Sequence, residues 1–186
     1  MPAMERDGRP AAGELAEATD HKEIDTMTAT TLDDLTDLDG AMHRRLAAAL
    51  FNHVWTLLER PDRTPAETDE MIHAAHASRF HWSRAEGMEA VNLGRGEWQC
   101  SRVYAVLGRG EPALWHARRC HTYALGPSAA EWDLAAAYEA LARASAVAGD
   151  HDAAADWKTK AVAALDAIAD ADEREVIEND IATLPI

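Results

Sequence analysis

The sequence predicts an all-α protein, an α-solenoid of about three antiparallel helical hairpins closed by a C-terminal capping helix. Three observations carry this. Ala dominates the composition and β-branched runs are few, and Ala loses no side-chain entropy on entering a helix whereas Val and Ile lose χ1 freedom. Apolar residues recur at steps of three and four, and no strand is predicted anywhere. Turns fall near Asp62, Gly108 and Gly149, the last two 41 residues apart; short connections imply antiparallel neighbours, and evenly spaced hairpins are the mark of a solenoid.

Residues 1–30 show no hydrophobic period. Residues 1–40 hold three basic and eleven acidic side chains, so they carry −8 of the formal −15, and residues 1–30 read as a flexible acidic arm ahead of a helical domain over 31–186. Met27 opens a more ordered-looking stretch, which raises an early start codon as the origin of residues 1–26. Thr31 with Asp34 suits the cap of a short helical turn before Gly40.

A first helix is expected from Ala41 to Glu59, with Leu46, Leu50, Val54 and Leu57 on one stripe. It stops at Arg60-Pro61-Asp62-Arg63. Thr64, Pro65 and Glu67 then form the clearest local signal in the chain: a capping box with proline at the first helical position, where its missing N–H would have no partner. This second helix runs to about Arg84. A third takes Val91 to Leu107, and a fourth starts near Glu111-Pro112 and ends near Leu125. The fifth opens on a Ser128/Glu131 capping box and runs to Ala148. A sixth covers Ala153 to Ala169, and Asp172 to Ala182 is terminal.

Charge and composition exclude several function classes. Phosphate contacts need clustered Lys and Arg, so a chain at −15 is not expected to bind nucleic acid. The longest apolar run, Leu46 to Phe51, falls far short of the ~20 residues of a membrane span. No secretory signal is recognisable. Cys100 and Cys120 make no disulfide framework and read as small core residues of a reduced, cytoplasmic protein.

Around the turns the residues resemble tetratricopeptide repeats (TPRs). Tyr104 takes the aromatic place of that motif, Ser101 the small place, Gly108 the turn, and Ala113 and Ala117 the second helix. Tyr138, Leu141, Ala142, Gly149 and Ala154 match in the next unit. The pattern departs at Glu97, where Trp is usual, at Ser145 and at Lys158, and its period exceeds the family's ~34 residues. The resemblance covers residues 91 to 169. It implies a right-handed stack whose first helices line a concave face, with partners rather than chemistry as its business.

Carried onto this chain, the family pattern puts Arg95, Trp98, Arg102 and Ala105 in the groove, followed by Ala136, Glu139, Arg143 and Ala146, with Asn52, Trp55 and Glu59 as the loosest match. On a helical wheel, Trp132 shares a face with Glu139 and Arg143. An Arg pair beside Trp can hold a carboxylate through paired N–H donors while the indole packs on apolar substance. Ligand contacts are therefore expected at Arg95, Trp98, Arg102, Trp132, Glu139 and Arg143, for a peptide, a protein or an acidic small ligand. The alternative is that Arg102 and Glu139 neutralise one another. An acidic arm lying on Arg102 and Arg143 is a further option. A solenoid this short leaves apolar ends to be capped, so a homodimer is open as well.

The second reading is a metal-dependent enzyme. His73, His76 and His81 fan over one side of the second helix, and levelling antiparallel helices from their turns puts His53 near His73, His81 near Glu97 and His76 near Ser101. A mixed His/Glu site of this kind suits Zn, Fe or Mn. No HExxH and no paired Glu-x-x-His occurs, so no cofactor is predicted outright. His116 and His121 repeat the pattern on the fourth helix and read as a surface habit of the fold. The first reading, a non-enzymatic binding module, is preferred.

Overall fold

The computed structural model describes residues 38–186, and among these there are seven α-helices and no strand. The acidic arm and the Thr31/Asp34 cap lie outside the described residues. The helices are α1 (Gly40–Leu58), α2 (Pro65–Trp82), α3 (Ala90–Val106), α4 (Gly110–Ala124), α5 (Glu131–Val147), α6 (His151–Ala164) and α7 (Ala171–Ala182). Each helix from α1 to α6 packs most heavily on its partner in the pairs α1–α2, α3–α4 and α5–α6. The odd-numbered helices also meet in series, α1 on α3, α3 on α5 and α5 on α7. No described helix is long and apolar enough to cross a membrane.

Local chemistry sets the boundaries. Thr64 Oγ1 accepts from the Glu67 N–H, and the Glu67 carboxylate accepts from the Thr64 N–H at 2.8 Å, so the expected capping box opens α2. Arg63 closes α1 by donating to the carbonyls of Leu57 and Leu58 at 2.9 and 3.0 Å, a cation placed where the helix leaves its last acceptors unpaired. Gly108 and Gly149 have φ of 70° and 85°, the left-handed region that a Cβ disfavours. The turns they make are alike: the next residue's N–H donates back to Tyr104 O in one and to Ser145 O in the other, both at 2.9 Å.

Two expectations fail at boundaries. Ser128 does not cap α5; Asp133 does the work from inside the helix, accepting from the Ala130 N–H at 2.8 Å. Glu131 reaches instead to the Ala169 N–H, at 3.2 Å. The sixth helix does not reach Ala169: α6 ends at Ala164 and a short 3-10 turn follows over Leu165–Ala167. Extended backbone at Ile168 turns that side chain into the core, and Arg174 holds its carbonyl at 2.8 Å. Burying one Ile fully is worth about 1.5–3 kcal/mol, more than one further turn of Ala-rich helix returns.

The core has two parts. Val54, Leu57, Met71, Ala74, Ala75, Cys100 and Val103 fill the space where α1 and α2 meet α3. A larger cluster joins α3 to α7 and draws heavily on the alanines of α5. That helix is buried nearly all round, packed on α3, α4, α6 and α7. Small side chains are what let four helices approach one.

Candidate functional site

The expected groove residues gather between α3, α5 and α7, but their charges are answered within the chain. Arg95 grips Asp133 with two bonds, at 2.9 and 3.0 Å. Arg102 donates to Glu139 at 3.2 Å and lies 2.8 Å from an Asp180 oxygen. Arg143 donates to Glu139 at 2.7 Å and, with its other nitrogens, to Asp180 O, Thr183 O and Thr183 Oγ1 at 2.8–3.2 Å. Glu139 is fully buried, held between two guanidinium groups. Burial opposes the charge on Arg102, yet Glu139 and Asp180 outweigh it and raise its pKa. The pairing of Arg102 with Glu139 is thus present, and α7 supplies the further acceptors.

Beside these ion pairs lies an open pocket of about 540 Å³, lined by Phe51 and Trp55 of α1, Arg95 and Trp98 of α3, Trp132 of α5, and Glu173, Val176, Ile177 and Asp180 of α7. The aromatic rings make contact: Trp55 and Trp98 centroids are 5.3 Å apart, and Trp98 and Trp132 are 6.5 Å apart, edge to face. Such pairs stabilise by about 0.5–1.5 kcal/mol beyond their burial. The Arg95 guanidinium sits 4.5 Å from the Trp132 ring centroid and that of Arg102 5.9 Å from Trp98. Trp98 is only 7% exposed, and its indole nitrogen has no acceptor among the described residues. Trp98, Trp132 and Arg95 were expected here. Phe51 was not, although an i,i+4 pair with Trp55 on one helix is a readable signal.

The histidines separate. His53 bonds Glu70 at 2.8 Å, and His81 lies 2.7 Å from His43, ring nitrogen to ring nitrogen, rather than beside Glu97. His73 is exposed. His76 alone reaches α3, where its Nε2 is 2.9 Å from the Tyr104 hydroxyl.

Glu97 is buried and central. Its Oε2 accepts from His116 Nδ1 at 2.7 Å, and its Oε1 accepts from Arg79 and Arg119, each at 3.0 Å. Burial works against this carboxylate, but the bonds from His116 and Arg119 and the charge of Arg79 hold its pKa below the usual value. His116 is itself buried, stacked on Tyr104 with centroids 5.6 Å apart, so it is not part of a surface pattern.

One ligating atom each of His76, Cys100 and His116 lie within 4.8 Å of one another. Cys100 and Cys120 are both buried free thiols, and burial, reinforced by Glu97, pushes the Cys100 thiol up to about 12. Cys100 and His116 carry no local signal of this site, because their meeting with His76 depends on how three helices pack.

The described residues form an all-helical fold with an aromatic pocket on one side and a histidine–cysteine cluster on the other side of α3. No family model, curated protein or solved structure matches the chain.

Proposed function

We propose that the chain is a TPR-like, right-handed stack of three helical hairpins that acts as a non-enzymatic binding module. The pocket bounded by Trp55, Trp98 and Trp132 takes an apolar side chain of a peptide with neutral or basic flanks. The pairing of α1–α2, α3–α4 and α5–α6, and the serial contact of the odd-numbered helices, support the architecture. On this reading α7 both caps the last hairpin and forms one wall of the groove.

The observation that carries the binding role is the aromatic pocket itself. At about 540 Å³ it falls within the ~300–1,000 Å³ of ordinary ligand sites, and it has the usual makeup of apolar walls with a few polar groups at the rim. Electrostatics decides the kind of peptide. Arg95, Arg102 and Arg143 face Asp133, Glu139, Asp180 and Glu173, so acids outnumber bases around the pocket. The arginines that suited a carboxylate clamp are already engaged, which removes the reason to favour an acidic ligand.

Fluorescence polarisation of labelled peptides tests this: Phe- or Leu-containing peptides flanked by Lys against the same peptides flanked by Asp. The Lys-flanked set is expected to bind saturably and tighter. Val176 lines the pocket and is 54% exposed, so Val176→Arg places a charge in the mouth without disturbing the core and is expected to weaken binding at least tenfold. Binding that is unchanged in Val176→Arg, or stronger for the Asp-flanked set, sinks the reading.

A further inference from the structure

We propose that His76, Cys100 and His116 bind a single borderline-soft transition-metal ion of the Zn²⁺ or Co²⁺ class, with Glu97 as the residue that orients His116. This does not rest on the binding-module reading; it uses a different cluster and different residues.

Three features of the cluster point to a metal. Its donor set, two imidazoles and a cysteine sulfur that gives up its proton to solvent as the metal binds, is one that zinc and cobalt favour over magnesium or calcium. Its donors come from three helices, α2, α3 and α4, and already lie within 4.8 Å of one another. In a tetrahedral site with bonds of about 2.0–2.3 Å, neighbouring ligand atoms are about 3.3–3.8 Å apart, so a contraction of about 1–1.5 Å completes it. His76 supplies the movement: it is exposed, and its one hydrogen-bond contact among the described residues is to the Tyr104 hydroxyl.

The third feature is the second layer. Glu97 accepts from His116 Nδ1 at 2.7 Å, which fixes the proton on that nitrogen and leaves the lone pair on Nε2. A carboxylate bonded to the far nitrogen of an imidazole is the arrangement that orients metal-binding histidines and raises their basicity. Glu97 is in turn held by Arg79 and Arg119, each at 3.0 Å, so it cannot swing in to become a ligand itself. Three protein donors leave the fourth position of a tetrahedral site to a water or another small ligand. Of the histidines read from the sequence as candidate ligands, only His76 belongs to this set, and Glu97 changes role from ligand to positioning residue.

Cobalt reports directly on the thiolate. Titrating the metal-free full chain with Co²⁺ is expected to give a thiolate-to-cobalt charge-transfer band and tetrahedral visible bands that saturate at one ion per chain. Cys100→Ala is expected to abolish the charge-transfer band and Cys120→Ala to leave it. His76→Ala, at an exposed position that leaves folding intact, is expected to weaken binding by more than the about 10–100-fold that loss of an orienting partner produces. Glu97→Gln is expected to fall within that 10–100-fold range with the band retained; circular dichroism checks that this variant folds, and His76→Ala carries the test if it does not. Cobalt binding without the charge-transfer band, or binding that survives both His76→Ala and Cys100→Ala, overturns the proposal.

Discussion

Glu139 shows how much of this molecule's stability can hang on one side chain. It is fully buried, and its two oxygens are divided between Arg102 and Arg143. Those guanidinium groups also hold Asp180 and the carbonyls at the end of α7. Removing one member of a buried ion pair leaves the others charged and desolvated, which costs about 3–5 kcal/mol. Glu139→Ala is therefore expected to lower the urea-unfolding free energy by that amount. Replacing an exposed pair member, as in Glu70→Ala beside His53, is expected to change it by less than about 1 kcal/mol. Equal effects of the two substitutions would contradict this account. At this scale the sequence was partly legible. The resemblance to tetratricopeptide repeats put Arg102, Glu139 and Arg143 in one groove, and they do meet. Asp180 was not foreseen, because it lies 78 positions from Arg102 and no local pattern links them. His116 and Cys100 were hidden for the same reason: contact across three helices has no sequence period.

Elements were read best where a signal was local. The Thr64/Pro65/Glu67 start and the glycine turns at 108 and 149 are set by backbone hydrogen bonding and φ, both properties of a few adjacent residues. The start of α5 and the end of α6 were misread because tertiary partners choose there: Arg95 and the Ala130 N–H share Asp133, and Ile168 leaves the helix for the core. Helix–helix approach gives a test at this scale. A Cβ on Gly94 of α3 would sit 2.6 Å from Tyr123 Cβ of α4, so that pair of helices touches through the absent side chain. Gly94→Ala should gain helix propensity of about 1 kcal/mol yet lose about 1–3 kcal/mol to overpacking. The expected net result is destabilisation, read as a lower urea midpoint. Tyr123→Gly in the same chain removes the clashing Cβ, so that Gly94→Ala should become stabilising in that background. If Gly94→Ala stabilises the unmodified protein, the two helices are not in close contact there.

The whole molecule responds to acid through histidines that the fold keeps neutral. Burial lowers the pKa of His81 from 6.5, and His43 and Arg84 lower it further. Burial also lowers that of His121, assisted by Lys160, in a cage of Tyr138 and Trp157. In the unfolded chain both imidazoles return to the ordinary value, so between the lowered value and 6.5 the unfolded state binds more protons than the folded one. Stability then rises with pH across that window. It is expected to fall as pH drops below 6.5 and to level off once the folded-state values are passed. Acid also reduces the net charge of −15, which eases self-repulsion and works against this fall rather than producing it. Urea midpoints at about pH 7.5 and about pH 5.5 measure the drop. His81→Asn with His121→Asn removes two of the three rings whose pKa burial lowers, His76 being the third, while keeping polar side chains of lesser size, so the double variant should lose part of the pH dependence whatever its absolute stability. A midpoint that falls by the same amount with acid in the double variant as in the parent would place the sensitivity elsewhere, and the neutral His81 and His121 would have no part in it.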